Sequence, residues 1–306
     1  MKKFIIGAIL FVAFEAMAVC PDPSLNELST DCPWAEMARE ISAGKSCDDV
    51  FKTVPALNSQ LQADSLSSEL KSLWGRAKNF DESAKGVIVA DAVLQCLSKK
   101  LNIKDAIQAK EQMTVVHAGL QHTYAYMFSN LVTKYGFKRE RWTKDDLRLG
   151  LGLTPGLLSP MTADGAFLSN VTYLFAKLTF GTHGIKSKKN VAKEILDLKP
   201  SKYEIRRLKE TLPELKLAVH TVFVKLDTTK LSSKNTHLLI YWLEDIKNKK
   251  NYLTSGFPVD AATVERALEP ATLGANKPVS LRYNAWWPEV SGAPATLTGM
   301  REEVKN

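Results

Sequence analysis

The sequence predicts an α+β fold: a disulfide-stapled helical N-terminal part followed by a mixed, mainly antiparallel sheet with short helices. Three observations carry that expectation. All four cysteines, Cys20, Cys32, Cys47 and Cys96, fall before residue 97. Apolar residues recur at helical spacing through the first hundred positions. From about residue 111 onward, β-branched and aromatic runs of strand length, separated by turn signals, replace that recurrence.

Residues 1–18 read as a signal peptide. Lys2 and Lys3 give a positive start, Phe4 to Phe14 an unbroken apolar run, and Ala16-Met17-Ala18 a small-x-small cleavage site. That run is too short to cross a bilayer, which takes about 20 helical residues. No later stretch of the sequence reaches spanning length. The expected location is periplasmic or secreted. Lipoprotein processing at Cys20 is disfavoured because Val19 stands where a small residue is needed, and because it would leave an odd number of cysteines.

An even cysteine count in an exported chain reads as a disulfide framework. Four cysteines allow three pairings, and the sequence does not choose among them. Closing a short loop such as Cys32–Cys47 would contribute about 3 kcal/mol in the chain-entropy model. A zinc site is not indicated, since no C-x-x-C spacing occurs and no histidine lies among the cysteines. The cysteine distribution divides the chain into a helical disulfide-containing module, 19–110, and an α+β domain, 111–306.

The first helix starts from Asp31 and Pro33 and aligns Trp34, Met37, Ala38 and Ile41 on one face. Leu66, Leu70, Leu73, Trp74 and Ala77 form a second such face. A third helix is expected from near Asp81, with Val87, Ala90, Leu94, Leu97 and Leu101 on its face and Cys96 available to tie it to the N-terminal segment. Thr114-Val115-Val116 and Thr123 to Val132 then suggest strands, with a turn at Tyr135-Gly136. Thr143 to Asp146 form a capping box for a short helix that ends among Gly150, Gly152 and Pro155. Residues 166–180 are apolar enough to be helix or strand.

Gly181 to Asn190 is a basic loop, and Ser201 to Glu204 is a second capping box, opening a charged helix to Thr211. Residues 215–226 alternate as a strand, with Leu217, Val219, Thr221 and Phe223 on one face. His237 to Asp245 and Asn251 to Phe257 are expected as strands joined by the basic turn at 246–250. Asp260 caps a helix from Ala261 to Leu268, Val279 to Trp286 is a final strand, and the tail from Pro288 is irregular.

The composition, 45% apolar and 24% charged, excludes a disordered chain. No Gly-x-Ser-x-Gly or Gly-x-Gly-x-x-Gly motif occurs, and Gly150-Leu151-Gly152 lacks the third glycine and the preceding strand of a dinucleotide site. The sequence therefore indicates no cofactor. His117 and His122, in VVHAGLQHTYAY, are spaced by five, which does not suit a metal pair. A break at Gly119 would bring them to one cleft as general base and general acid, with Arg141 from the nearby FKRERW segment steadying negative charge. In the Gly-flanked loop, His183, Lys186, Lys188 and Lys189 form a candidate anion-binding group. His220 reads as core or cross-strand packing, His237 as a strand opener, and Trp286-Trp287 as an aromatic pair with one indole turned outward.

The chain carries Lys+Arg 41 against Asp+Glu 33, a net charge of +8, with local clusters at Lys186–Lys193, Lys199–Lys209 and Lys247–Lys250. Such a surplus attracts anionic polymers or envelope surfaces. The first functional expectation is thus an exported protein that binds an anionic polymer or envelope surface. The alternatives are a metal-independent, phosphodiesterase-like hydrolase using His117, His122 and Arg141, and a structural protein that docks a partner through its N-terminal helices.

Overall fold

The computed structural model describes residues 33–74, 79, 81, 84, 86–103, 119–133, 136–137, 146–158, 164–181, 185, 188–213, 216–231, 234–270, 273–279 and 297–304. The α+β class holds: helices fill the N-terminal part, and every described strand pairing is antiparallel.

The first helices follow their apolar spacing. α1 (Pro33–Ser42) buries Trp34, Met37 and Ile41 and packs Ala38 against the core. α2 (Cys47–Lys52) is capped by the Ser46 hydroxyl, which accepts the Asp49 N–H at 3.1 Å. α3 (Pro55–Ser65) and α4 (Ser68–Trp74) follow. α4 buries Leu70, Leu73 and Trp74 as their spacing demands, whereas Leu66 lies in the joint between the two helices and is 76% exposed.

The third predicted helix begins ten residues later than expected. α5 (Asp91–Leu101) buries Val93, Leu94, Cys96, Leu97 and Leu101, while Val87 lies ahead of it and is 58% exposed. Cys96 is bonded to Cys47, with Cα atoms 5.6 Å apart, so the bridge joins α5 to α2, a pairing the sequence left open. Cys20 and Cys32 lie outside the described residues.

The strand expected over 123–132 is a helix for most of its length. α6 (Gly119–Phe128) buries Tyr124, Ala125, Tyr126, Met127 and Phe128 in succession. It is surrounded by α1, α4, α5 and the sheet, and burial on all sides erases the polar face from which a helix is read. The strand character survives only in the short hairpin β1 (Val132–Thr133) and β2 (Gly136–Phe137), whose Gly136 pairs with Thr133. The expected strand at 114–116 lies outside the described residues. α7 (Asp146–Gly150) is the short helix ahead of the glycines, and α8 (Phe167–Thr179) resolves the ambiguous apolar stretch as helix. α9 (Lys193–Asp197) follows.

The charged helix expected over 201–211 is instead a strand. Pro200–Lys202 make a single 3-10 turn, and β3 (Ile205–Leu212) pairs along its whole length with β4 (Leu217–Lys225), from Ile205–Val224 to Leu212–Leu217. Burial of Leu208, Glu210 and Leu212 alternates with partly exposed neighbours. Pairing with β4 therefore overrides a local capping signal. β5 (His237–Asp245) and β6 (Lys250–Val259) form the expected hairpin. α10 (Ala261–Leu268) starts where Asp260 accepts the Thr263 N–H at 2.8 Å.

β7 (Gly274–Val279) ends where the last strand was expected to begin; residues 280–286 lie outside the described residues. The tail expected to be irregular supplies β8 (Leu297–Val304), because its backbone pairs with both β3 and β7. The resulting sheet has the order β6-β5-β4-β3-β8-β7.

Both faces of the sheet are covered at its β4–β6 side. One face packs on the helices: a single apolar cluster runs from Trp34 through Leu97 and Phe175 to Val222, Ile240 and Leu253. At Gly256 of β6 the Phe175 ring of α8 approaches the strand closely: a Cβ there would stand 2.4 Å from it. The other face holds Leu208, Phe223, Leu239, Tyr241 and Phe257 against Val264 and Leu268 of α10.

Candidate functional site

The basic surplus is far more localised than the scattered lysine clusters suggest. Residues 177–209 contain ten Lys and Arg against three Asp and Glu, a surplus of seven. Residues 1–18 add one more through Lys2, Lys3 and Glu15, and together these account for the whole net charge of +8. Everything else in the chain is balanced.

Among the described residues of this segment, α9 and Arg207 meet the C-terminal half of α8. Lys177, the one residue of α8 that is not buried, donates from Nζ to the Ile195 carbonyl at 3.3 Å and to that of Leu196. These carbonyls lie in the last turn of α9, so the ammonium satisfies groups that a helix end leaves open. Burial pulls the Lys177 ammonium below its ordinary value; Asp197 opposes that and Lys188 adds to it. Arg207 donates to the Leu178 carbonyl at 3.2 Å, and burial lowers its ordinary value too. Arg206 pairs with Glu303 at 2.8 Å.

Lys188, Lys193, Lys199 and Lys202 are exposed and pair with no carboxylate among the described residues. Lys199 and Lys202 stand at a cleft of about 490 Å³ floored by Leu151, Leu153 and Leu198. Two interactions fix its walls. The Tyr203 hydroxyl donates to the Leu151 carbonyl at 2.9 Å, and the Glu194 carboxylate accepts the Thr154 N–H at 3.0 Å. Burial raises the Tyr203 phenol above its usual range, with the Glu194 charge adding to it. Asp197 also lines this cleft, so its charge is mixed at the floor end and basic at the lysines.

Of the sequence-predicted anion group, Lys188 and Lys189 are exposed, on the loop that leads into α9. His183 and Lys186 lie outside the described residues. His122 is on α6, while His117 and Arg141 lie outside the described residues, as do Trp286 and Trp287. His220 is the cross-strand packing residue its position in β4 indicates: it stacks on Trp242. The His237 Nδ1 lies 2.8 Å from the Thr236 hydroxyl at the start of β5.

A second cleft, also about 490 Å³, runs between α1, the start of α5 and the end of α6, lined by Ala35, Ala38, Val87, Val89, Phe128 and Leu131. Its lining is mainly apolar, with Arg39, Ser42 and Asn130 among it. Among the described residues no group of three or more His, Cys, Asp or Glu side chains is placed to hold a metal ion, and no helix is long and apolar enough to cross a membrane.

Sequence reasoning missed two buried carboxylates. Asp64 accepts the Tyr124 hydroxyl, and Asp81 accepts the Tyr126 hydroxyl at 2.6 Å. Their partners are 60 and 45 residues away, and no local pattern announces them. No protein-family model matches the chain, nor does any curated protein or solved structure.

Proposed function

We propose that this chain is an exported protein that binds an anionic polymer of the cell envelope or exterior, with residues 177–209 as its contact surface. The observation that carries this reading is the concentration of the charge surplus in that segment, with Lys188, Lys193, Lys199 and Lys202 exposed and free of carboxylate partners among the described residues. Ammonium groups held along one surface displace counterions from a polyanion, and the affinity then depends steeply on salt. The apolar floor beside Lys199 and Lys202 offers contact to the backbone of such a polymer between its charges. Export is supported by the charged, apolar and small-residue order of positions 1–18 and by the Cys47–Cys96 bridge, since disulfides persist outside the reducing cytosol.

The experiment is elution from immobilised heparin in a salt gradient. The chain is expected to be retained and released by salt. Lys199→Glu/Lys202→Glu is expected to elute at clearly lower salt, whereas Lys247→Glu/Lys249→Glu, in the β5–β6 turn, shifts elution less. Retention indifferent to ionic strength, or equal loss from both pairs, would remove the reading.

A further inference from the structure

Three titratable side chains meet on the helix-covered face of the sheet, just where α8 ends. His220 of β4 is the direct cross-strand partner of Trp242 on β5. The two rings are stacked, with centroids 3.7 Å apart and planes 7° from parallel. The imidazole Nε2 lies 2.8 Å from Oε2 of Glu244, two residues along β5. That same oxygen is 3.8 Å from Nζ of Lys209, the cross-strand partner of His220 on β3. One carboxylate oxygen thus serves both a permanent cation and a group that becomes a cation only in acid.

The surroundings add few other charges. Glu302 of β8 is the cross-strand partner of Lys209, and Arg207, two residues back along β3, has a guanidinium hydrogen bond to the Leu178 carbonyl. From β6, Leu253 stands opposite Trp242, and from the end of α8, Phe180 meets Trp242 edge-on at 5.1 Å. The side chains of His220, Glu244 and Lys209 are 15%, 33% and 29% exposed, so the carboxylate and the ammonium sit at the mouth of the group and the imidazole behind them. Burial holds the imidazole below its ordinary value of 6.5, the Glu244 hydrogen bond and charge oppose this, and Lys209 adds to the lowering.

We propose that His220, Glu244 and Lys209 form a proton-operated charge switch that tightens the chain's hold on polyanions as the medium turns acid. This rests on the anion-binding reading above, because Lys209 is the last lysine of the basic segment. With the imidazole neutral, Nε2–H donates to Glu244, and the carboxylate charge answers Lys209. A proton taken from solvent onto Nδ1 makes the ring a full cation against the same oxygen. The carboxylate then answers the imidazolium at 2.8 Å in preference to the ammonium at 3.8 Å. The Lys209 charge is left to the solvent side, and the indole face of Trp242 steadies the imidazolium. Each proton adds one unit of positive charge to the surface.

The test uses the intact, disulfide-bonded chain. A charged imidazole stacked on an indole quenches its fluorescence, so acid titration of the wild type is expected to show a quenching step that His220→Gln lacks. Glu244→Gln is expected to move the step to lower pH, since the group favouring the imidazolium is gone. Binding to a duplex DNA oligomer, used as a polyanion of known charge spacing, is then measured over a salt series at about pH 5.5 and about pH 7.5. The wild-type slope of log K against log salt is expected to steepen by up to about 0.9 at the lower pH. His220→Gln and Lys209→Met are expected to show no such steepening. A quenching step that survives in His220→Gln, or equal steepening in wild type and His220→Gln, overturns the switch while leaving anion binding standing. Absence of salt-dependent binding at both pH values overturns the anion-binding reading and the switch's purpose with it, whatever the fluorescence shows.

Discussion

The carboxylate of Asp64, at the end of α3, sits on the N-terminus of α8 and accepts the backbone N–H of Ser169 at 3.1 Å. It also takes the Leu168 N–H at 3.2 Å, the Ser169 hydroxyl at 3.0 Å and the Tyr124 hydroxyl. Ala166, at the cap position of α8, has no side chain that can do this. A residue 105 positions away therefore caps a helix that is buried at every position but Lys177. The arrangement is costly to charge: burial raises the Asp64 carboxyl to about 6, against the lowering effect of its hydrogen bonds. The Tyr124 phenol is pushed well above its usual range by burial, and further by the Asp64 charge.

A folded-state value raised above the unfolded 3.8 means that the native state binds the proton more tightly. This favours the fold in acid, and the advantage fades as pH rises through about 6. Between pH 4.5 and 7.5 the loss from this one group comes to about 2 kcal/mol. Urea unfolding of wild type and Asp64→Asn at both values measures it. The pH-dependent difference is expected to shrink by about that amount in the variant. Asp64→Ala, which leaves the Tyr124 hydroxyl and two helix N–H groups buried without an acceptor, is expected to lose about 2–4 kcal/mol at either pH.

Glu210 of β3 and Arg301 of β8 form an ion pair across the sheet, with side chains 0% and 9% exposed. Removing the arginine alone takes away the cation that faces this buried carboxylate, so Arg301→Leu is expected to destabilise by about 3–5 kcal/mol. Glu210→Leu/Arg301→Leu is expected to recover most of that loss. Chemical denaturation of the two single variants and the double variant closes the cycle, and additive losses would show that the pair acts through packing alone.

Gly256 leaves no room for a Cβ against the Phe175 ring. Gly256→Ala is expected to cost about 1–3 kcal/mol, and combining it with Phe175→Leu to return part of that cost. Thermal unfolding of the two variants is sufficient to compare them.

The Cys47–Cys96 bridge spans 49 residues of sequence. In the chain-entropy model its loss costs about 4 kcal/mol. Cys47→Ala/Cys96→Ala is expected to lower the denaturation midpoint accordingly, with the slope against denaturant changed because the unfolded chain expands. An unchanged midpoint would mean that the bridge adds nothing beyond the packing of α2 on α5.

How much of this was legible in the sequence depended on where each signal had its partner. Asp260 and Thr263 are three residues apart, and the helix they open begins and ends as its sequence indicates. The β5–β6 hairpin is also local, and its strands lie close to where alternation and the basic turn set them. Ser201 and Glu204 carry an equally good local signal that fails, because β3 is decided by β4 and β8 on either side of it. Over 123–128 the failure has another cause: Tyr124 and Tyr126 both look like strand residues, yet their hydroxyls reach separate buried carboxylates from different sides of one helix. The basic residues of the candidate site were visible as charge. That they carry the whole surplus of residues 19–306 was a matter of counting, but the contact of α9 with α8 depends on Lys177 meeting the end of α9.

The sheet order also dictates the sequence of events during synthesis. β3 lies between β4 and β8, and Arg206 and Glu303, which join its outer edge to β8, are 97 residues apart. A nascent chain that has finished its β4–β6 meander still presents along β3 the row of amides and carbonyls that pairs with β8 in the finished fold. Only when residues 297–304 emerge does that row find its mate. Closure of the domain is therefore a late, long-range step, slow by the rule that distant pairings pay their loop entropy first. Until then the β3 edge stays open to pairing with another strand.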